Sequence, residues 1–263
     1  MEPRGTAVVT GASRGIGRAV ALELARLGFD VLAGMRHPGD GADLGASLAD
    51  AAGTVRAVRL DVTDPATMAF PEELRVLVNN AAVERDYLPV EHAPLEDWRA
   101  VFETNLFGVV ETTRRAIPAL RRAGGGVICN VTSSSILVPV PFYAVYRASK
   151  AAVAALGETL AAELAPFGIR VVEILPGPVA TDMLAASDRL PEGARHEGYE
   201  QMAQEMLDGR RAVQDMVTSA ADAARAIGAA ILDDTAGLRT ACDPLGQGLL
   251  DAWRRDPLQF VPS

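Results

Sequence analysis

Apolar and polar positions follow two alternating rhythms along most of this chain. Thr6–Thr10 (TAVVT) is a short apolar run that ends in glycine-rich sequence. Behind it Ile16, Ala19, Val20, Leu24 and Leu27 recur at the spacing of one helical face, which predicts a helix over Ile16–Leu27. The alternation continues, with strands expected at Asp30–Met35, Thr54–Leu60, Leu74–Asn79, Gly125–Val131 and Ile169–Leu175. Helices are expected over roughly Leu95–Leu120 and over Tyr143–Leu164, the second bounded by Pro166 and Gly168. The last third is less regular: Ala194–Gly209 is helix-like but rich in charge and methionine, and Ser219–Leu232 is a firmer helix with Ser219 as its N-cap. A short strand at Leu238–Cys242 and a helix at Gly248–Arg255 complete the pattern.

Strands joined by crossover helices form a parallel sheet covered on both faces. The expected fold is a doubly wound α/β three-layer sandwich around a predominantly parallel sheet of about seven strands. No linker or break in composition interrupts the alternation, so residues 1–263 are expected to form one dinucleotide-binding catalytic domain, with a variable substrate lid at about 183–216.

Composition narrows the choice of function. The chain has 263 residues, 49% of them hydrophobic, which excludes a disordered or fibrous reading. No run approaches 18 apolar residues, and Glu2, Pro3 and Arg4 precede the first apolar segment. Neither a membrane span nor a signal peptide is expected, and a cytoplasmic location follows. Cys129 and Cys242 are too few for a disulfide scaffold or a thiolate metal site, and His37, His92 and His196 stand outside any HExxH context, so no metal is expected. A formal charge of −9 without a basic stripe disfavours a nucleic-acid partner. A small molecule remains the expected partner.

The first strand runs into TGASRGIG, Thr10–Gly17, and directly into a helix. Gly11, Gly15 and Gly17 allow a tight turn and close backbone approach, and the helix start offers N–H groups to a pyrophosphate. The segment lacks the GK[ST] of a P-loop. At the end of the second strand an acidic residue would accept from both ribose hydroxyls of NAD, but here Met35 is followed by Arg36, with Arg14 in the loop and His37 beyond. An arginine fork suits a 2′-phosphate, which favours NADP(H) as cofactor and leaves NAD(H) possible. Asp61, in LDVTD, is a candidate acceptor for the adenine amino group, and equally a helix cap.

YAVYRASK, residues 143–150, raises the question of proton chemistry. Tyr146 precedes Lys150 by four positions, on the same helical face and one turn away. Tyr143 is seven positions away, two turns or roughly 10 Å. Direct electrostatic tuning therefore favours Tyr146. A free tyrosine ionises near pH ~10; a neighbouring ammonium favours phenolate, and so would an oxidised nicotinamide. Ser133, Ser134 and Ser135 follow the Val127–Val131 run and are candidates to steady a developing oxyanion.

With these segments in place, the chain closely resembles the classical short-chain dehydrogenase/reductase family. The matching pieces, in the family order, are TGASRGIG, LDV at 60–62, LVNNAA at 77–82, TNLFG around Asn105, NVTSSS at 130–135, YRASK at 146–150 and PGPVATD at 176–182. The resemblance implies a Rossmann-like fold and an NAD(P)-dependent enzyme interconverting ketone and secondary alcohol, commonly a homodimer or homotetramer. It selects Ser133, thirteen positions before Tyr146, as the substrate-polarising serine, and has Lys150 hold the nicotinamide ribose. Asn105 is similar to the family asparagine whose local backbone distortion holds a water in a relay to Lys150. The implied cofactor contacts are Gly11, Ser13, Arg14, Gly15, Ile16 and Gly17 in the loop. Arg36, Asp61, Val62, Asn79 and Ala81 follow, then Tyr146 and Lys150, and finally Pro176, Gly177, Val179 and Thr181.

Two departures stand out. Ala82 replaces the usual glycine of NNAG, and the Asp61–Asn79 interval has room for little more than one or two helical turns, which should thin one outer layer. For the substrate, Ser133, Val140, Tyr143, Tyr146 and Met183 are the expected contacts, beneath a methionine-rich lid bearing Leu184, Tyr199, Met202, Met206 and Met216. That lining favours a bulky or hydrophobic ketone. Specialised steroid, retinoid or acyl-thioester substrates are an alternative on the same scaffold. A non-catalytic dinucleotide-binding regulator would not require the Ser133, Tyr146 and Lys150 set.

Overall fold

Seven parallel strands stand in the order β3-β2-β1-β4-β5-β6-β7 in the computed structural model, which describes residues 1–48 and 51–260. They are β1 (Thr6–Thr10), β2 (Asp30–Met35), β3 (Thr54–Arg59), β4 (Leu74–Asn79), β5 (Gly126–Val131), β6 (Ile169–Leu175) and β7 (Arg239–Ala241). The register explains why the strands read as nearly continuous apolar runs. Leu32, Val8, Leu77, Ile128 and Val171 lie side by side across five strands and face one layer. Their successors Ala33, Val9, Val78, Cys129 and Val172 form the next row and face the other. Both faces need apolar side chains because both are covered.

The second row is covered by α1 (Gly15–Leu27) through Val20 and Leu24 and by α7 (Ala220–Leu232) through Ala223 and Ile227. The first is covered by α3 (Gly108–Arg122) through Ala116 and Leu120 and by α4 (Ala144–Leu164) through Leu160 and Leu164. Completing the set are α2 (Leu95–Phe102), α5 (Asp182–Ala186), α6 (Glu200–Ala212) and α8 (Pro244–Arg255). This is the doubly wound, Rossmann-like sandwich that the alternation predicts. Among the described residues no helix is long and apolar enough to cross a membrane.

Three local details differ from the sequence reading, and the short connection before β4 is as expected. The helix expected over Leu95–Leu120 is two helices joined by a π-helical turn, Glu103–Phe107. The short Asp61–Asn79 connection holds a single 3-10 turn, Pro65–Thr67, and Met68 and Phe70 cover the sheet where a crossover helix would lie. The helix expected from Ala194 starts at Glu200, after a 3-10 turn at Glu192–Arg195. The last helix begins at Pro244, four residues early, because Asp243 caps it by accepting from the Gly246 N–H at 2.7 Å.

Candidate active site

The sheet changes winding direction between β1 and β4, so their connections leave to opposite sides and open a crevice at the strand C-termini. A cleft of about 380 Å³ occupies that position. Its floor is the glycine loop. Gly11 has φ 65°, and a Cβ on it would lie 2.7 Å from Ala81 Cα; a Cβ on Gly17 would lie 2.4 Å from the Gly11 carbonyl. Only glycine lets the loop fold this tightly. Thr10 Oγ1 accepts from the Asn80 and Ala81 N–H groups at 3.0 Å each, and Asn80 Nδ2 donates to the Thr10 and Gly11 carbonyls at 3.0 and 3.1 Å. The loop is thus tied to the end of β4. α1 starts with no side-chain cap and no acidic residue in its first turn, so its N–H groups remain free to meet a phosphate.

Most of the expected cofactor contacts line this one cleft: Gly11, Ser13, Arg14, Gly15, Ile16 and Gly17, then Arg36, Asp61, Val62 and Ala81, with Pro176, Gly177, Val179 and Thr181 opposite. Arg36 is exposed at the end of β2, beyond buried Met35, and no carboxylate replaces it there. Asp61 holds a local turn, accepting from the Thr63 N–H at 3.0 Å and its hydroxyl at 2.8 Å. Asn79 is a correction. Its side chain turns into the protein, donating to Thr113 Oγ1 and Asn130 Oδ1 and accepting from Thr112, and its neighbour Asn80 faces the cleft instead. Ala82 fits without left-handed backbone, since Phe142 is the only non-glycine residue with positive φ among those described.

Ser133, Tyr146 and Lys150 converge on the same cleft. Ser133 lies two residues beyond β5 and caps the next turn, its Oγ accepting from the Ser135 N–H at 3.2 Å and the Ser135 hydroxyl at 2.9 Å. Lys150 is 4% exposed, and its Nζ donates to the Val131 carbonyl at 2.7 Å, 5.7 Å from the centre of the Tyr146 ring. Burial brings the Lys150 amine down to about 8. Burial also raises the Tyr146 phenol above its ordinary range, reinforced by Glu84 and Tyr143 and opposed by a hydrogen bond with Ser133. The expected lowering of Tyr146 by Lys150 is therefore not a property of the protein alone: desolvation is the largest cause for the phenol and the sole cause for the amine.

Asn105 does not line the cleft. It is 1% exposed within the π turn, the backbone distortion expected at this position. Its Oδ1 accepts from the Val83 N–H at 2.8 Å, and its Nδ2 donates to the Val83 carbonyl at 2.9 Å and to Ser149 Oγ at 3.0 Å. Ser149 in turn donates to the Tyr146 carbonyl at 2.7 Å. One buried amide thereby fixes the loop after β4 against the catalytic turn of α4.

The substrate end departs most from expectation. Tyr143 and Met183 line the cleft, but Val140 does not; it packs with Phe142, Tyr87 and Met206 beside it. Tyr199, Met202, Met206 and Met216 of the expected lid also stay off the wall, Met206 because it is buried in that aromatic cluster. Residues 83–94 supply what the methionines do not. Tyr87 stacks on Tyr143 with ring centres 4.9 Å apart and planes within 1°. Arg210 of α6 lies 4.3 Å from the Tyr87 ring centre and donates to the Tyr143 hydroxyl at 3.3 Å and to the Ser187 carbonyl. Glu84, Thr104 and Ser187 line the cleft too; Thr104 opens the TNLFG motif, but Glu84 and Ser187 belong to no sequence motif. The signal that could have pointed to Glu84 and Tyr87 is their position directly after NNAA, where the strand end opens the crevice.

Comparison with known proteins identifies the family. The short chain dehydrogenase family profile matches residues 5–191. A 3-oxoacyl-(acyl-carrier-protein) reductase of a Synechocystis strain is 38% identical over 186 residues, 67% of this chain and 75% of its own. The 3beta-hydroxysteroid dehydrogenase 1 of Eggerthella lenta is 38% identical over 198 residues, 71% of this chain and 75% of its own. Among solved structures, a short chain dehydrogenase from Burkholderia cenocepacia in complex with NADP superposes with a TM-score of 0.76 at 28% identity, covering 100% of both chains. Motif order, sheet order and a shared cleft all lead to one assignment: the chain belongs to the short-chain dehydrogenase/reductase family, as an NAD(P)-dependent oxidoreductase.

Proposed function

We propose that the protein interconverts a ketone and a secondary alcohol with NADP(H). The observation that carries this reading is the convergence of Ser133, Tyr146 and Lys150 on the cleft whose far end is the glycine loop. The cofactor, once bound, supplies or accepts the hydride. In the reducing direction Tyr146, held as phenol by burial, gives its proton to the carbonyl oxygen while Ser133 donates a hydrogen bond to the same oxygen. Lys150 stands behind Tyr146 and, when protonated, favours the phenolate that this transfer leaves. Asn105 holds the turn that carries both.

NADP(H) is preferred to NAD(H) in this reading because Arg36 and Arg14 flank the cleft where NAD would call for a carboxylate. The NADP complex of the Burkholderia protein supports the same choice. The substrate has a bulky or hydrophobic body that lies against Tyr143, Met183 and Leu184, under a lid formed by residues 183–216. A homodimer or homotetramer is part of the proposal, supported by exposed Leu95, Phe107 and Val110 on α2, the π turn and α3.

Calorimetry tests the cofactor assignment. Arg36→Ala should weaken NADP binding by roughly tenfold or more, the worth of one charge-assisted hydrogen bond, and leave NAD affinity within about twofold. Equal preference before and after the substitution contradicts it. NADPH oxidation across a ketone panel tests the substrate end, where turnover of small charged ketones in preference to every bulky apolar one counts against the pocket described.

A further inference from the structure

Three carboxylates line the cleft: Asp61 holds the Thr63 turn, Asp182 pairs with Arg14 at 3.5 Å, and Glu84 is set among the tyrosines. It lines the cleft together with Tyr143, Tyr146 and Ser133, and it is only half-buried there. Its place is fixed by its neighbour, since Asn105 grips both the N–H and the carbonyl of Val83. Among the described residues no lysine, arginine or histidine forms a salt bridge with it. The arginines around it are engaged elsewhere: Arg85 pairs with Asp97 at 3.3 Å, Arg189 pairs with Asp86 at 3.3 Å, and Arg210 holds the Tyr87–Tyr143 stack and the Ser187 carbonyl. Burial raises the pKa of Glu84, and the Tyr87 hydroxyl is the one side-chain donor close enough to oppose that rise, along with the charges of Arg210 and Arg189. A carboxylate has two oxygens and about four acceptor sites. One phenol leaves most of them unfilled, in a cleft that also holds the proton donor of the reaction.

We propose that Glu84 is a specificity-determining residue of this cleft, whose carboxylate accepts a hydrogen bond from a donor group that the substrate carries beside its carbonyl. The substrate class is then a hydroxy or amino ketone, and the product of reduction a vicinal diol or amino alcohol. Its bulky body packs on Tyr143, Met183 and Leu184, and its donor turns to Glu84. This inference rests on the ketone reading above and narrows it. An acceptor built to meet a donor discriminates strongly against the analogue that lacks one, because the buried acceptor is then left unpaired.

The test uses three ketones that share one aryl body: acetophenone, 2-hydroxyacetophenone and 2-aminoacetophenone. Each is reduced with NADPH by the wild-type protein, Glu84→Gln and Glu84→Leu, and thermal unfolding checks that the variants fold. The ratio of kcat/KM for each donor-bearing ketone to that for acetophenone removes effects common to all substrates. Comparing the ratio between proteins removes the ketones' intrinsic reactivity. The wild-type ratio should exceed that of Glu84→Leu by roughly tenfold or more. Glu84→Gln should lose the preference for the ammonium arm and keep part of the hydroxyl preference, an outcome that supports the inference even where the leucine variant fails to fold. The same ratios in wild type and both variants overturn the role of Glu84 and leave the ketone reading intact. A wild-type protein that reduces none of the three overturns the ketone reading and this assignment with it.

Discussion

At Lys150 the chain buries an amine with a single hydrogen-bond acceptor, the Val131 carbonyl, and no carboxylate partner among the described residues. Burial brings its pKa down to about 8 from an ordinary value near 10.5. Below pH 8 both the folded and the unfolded chain hold the proton, and folding must desolvate the charge. Between about 8 and 10.5 only the unfolded chain holds it, so stability rises with pH across that window. Lys150→Met lacks this titration but keeps every tyrosine, so comparing the two proteins isolates the amine. In urea unfolding the wild type should gain on the variant by roughly 1–2 kcal/mol between pH 7 and 9.5. A difference that stays flat would show that the amine is not desolvated as described. The YxxxK spacing made this pair legible in sequence, because four residues are one helical turn. The direction of the Tyr146 shift was not legible, because it depends on burial and on Glu84, which the helix itself does not contain.

Strands were the most legible elements, and β7 shows where that legibility ends. The five central strands announce themselves because both faces are covered and most positions are apolar, as the two rows through Val8 and Val9 show. β7 has three residues and little apolar signal; one guanidinium holds it in place. Arg239 pairs with Glu173 of β6 at 2.9 Å and Glu158 of α4 at 2.7 Å, and lies 4.9 Å from the centre of the Trp253 ring in α8. Glu173 is 1% exposed and also accepts from Thr132 Oγ1. Arg239→Met removes the only cation that pairs with buried Glu173 among the described residues and should destabilise by about 3–5 kcal/mol in denaturant unfolding. Adding Glu173→Gln should restore a large part of that loss, and additive losses would mean that the ion pair is not the cause. The π turn and the 3-10 turns before α6 and β4 were not legible for a related reason. Apolar spacing reports which face is buried, whereas these turns are set by tertiary contacts such as the Asn105 bridge to Val83 and Ser149.

Over the whole molecule, the two ends of the cleft differ in how local their signals are. The cofactor end is built from strand termini and the loops directly behind them, so TGASRGIG, LDV and PGPVATD each carry a complete signal in contiguous sequence. Asn79 was misplaced because a strand's final residue and its successor point to opposite sides, and NNAA does not say which asparagine ends the strand inward. The substrate end joins residues more than a hundred positions apart, with Tyr87, Tyr143 and Arg210 forming one stack, and no periodic pattern marks residues 83–94. The central claim spans both ends: hydride arrives from the cofactor side, and the proton comes from Tyr146 on the substrate side. NADPH oxidation with a bulky aryl ketone, measured for the wild type and Tyr146→Phe with NADPH binding measured in parallel, tests it directly. The account predicts measurable wild-type turnover and a loss of roughly 10²–10⁴-fold in kcat for the variant, with cofactor affinity retained. Turnover undiminished in Tyr146→Phe would contradict it.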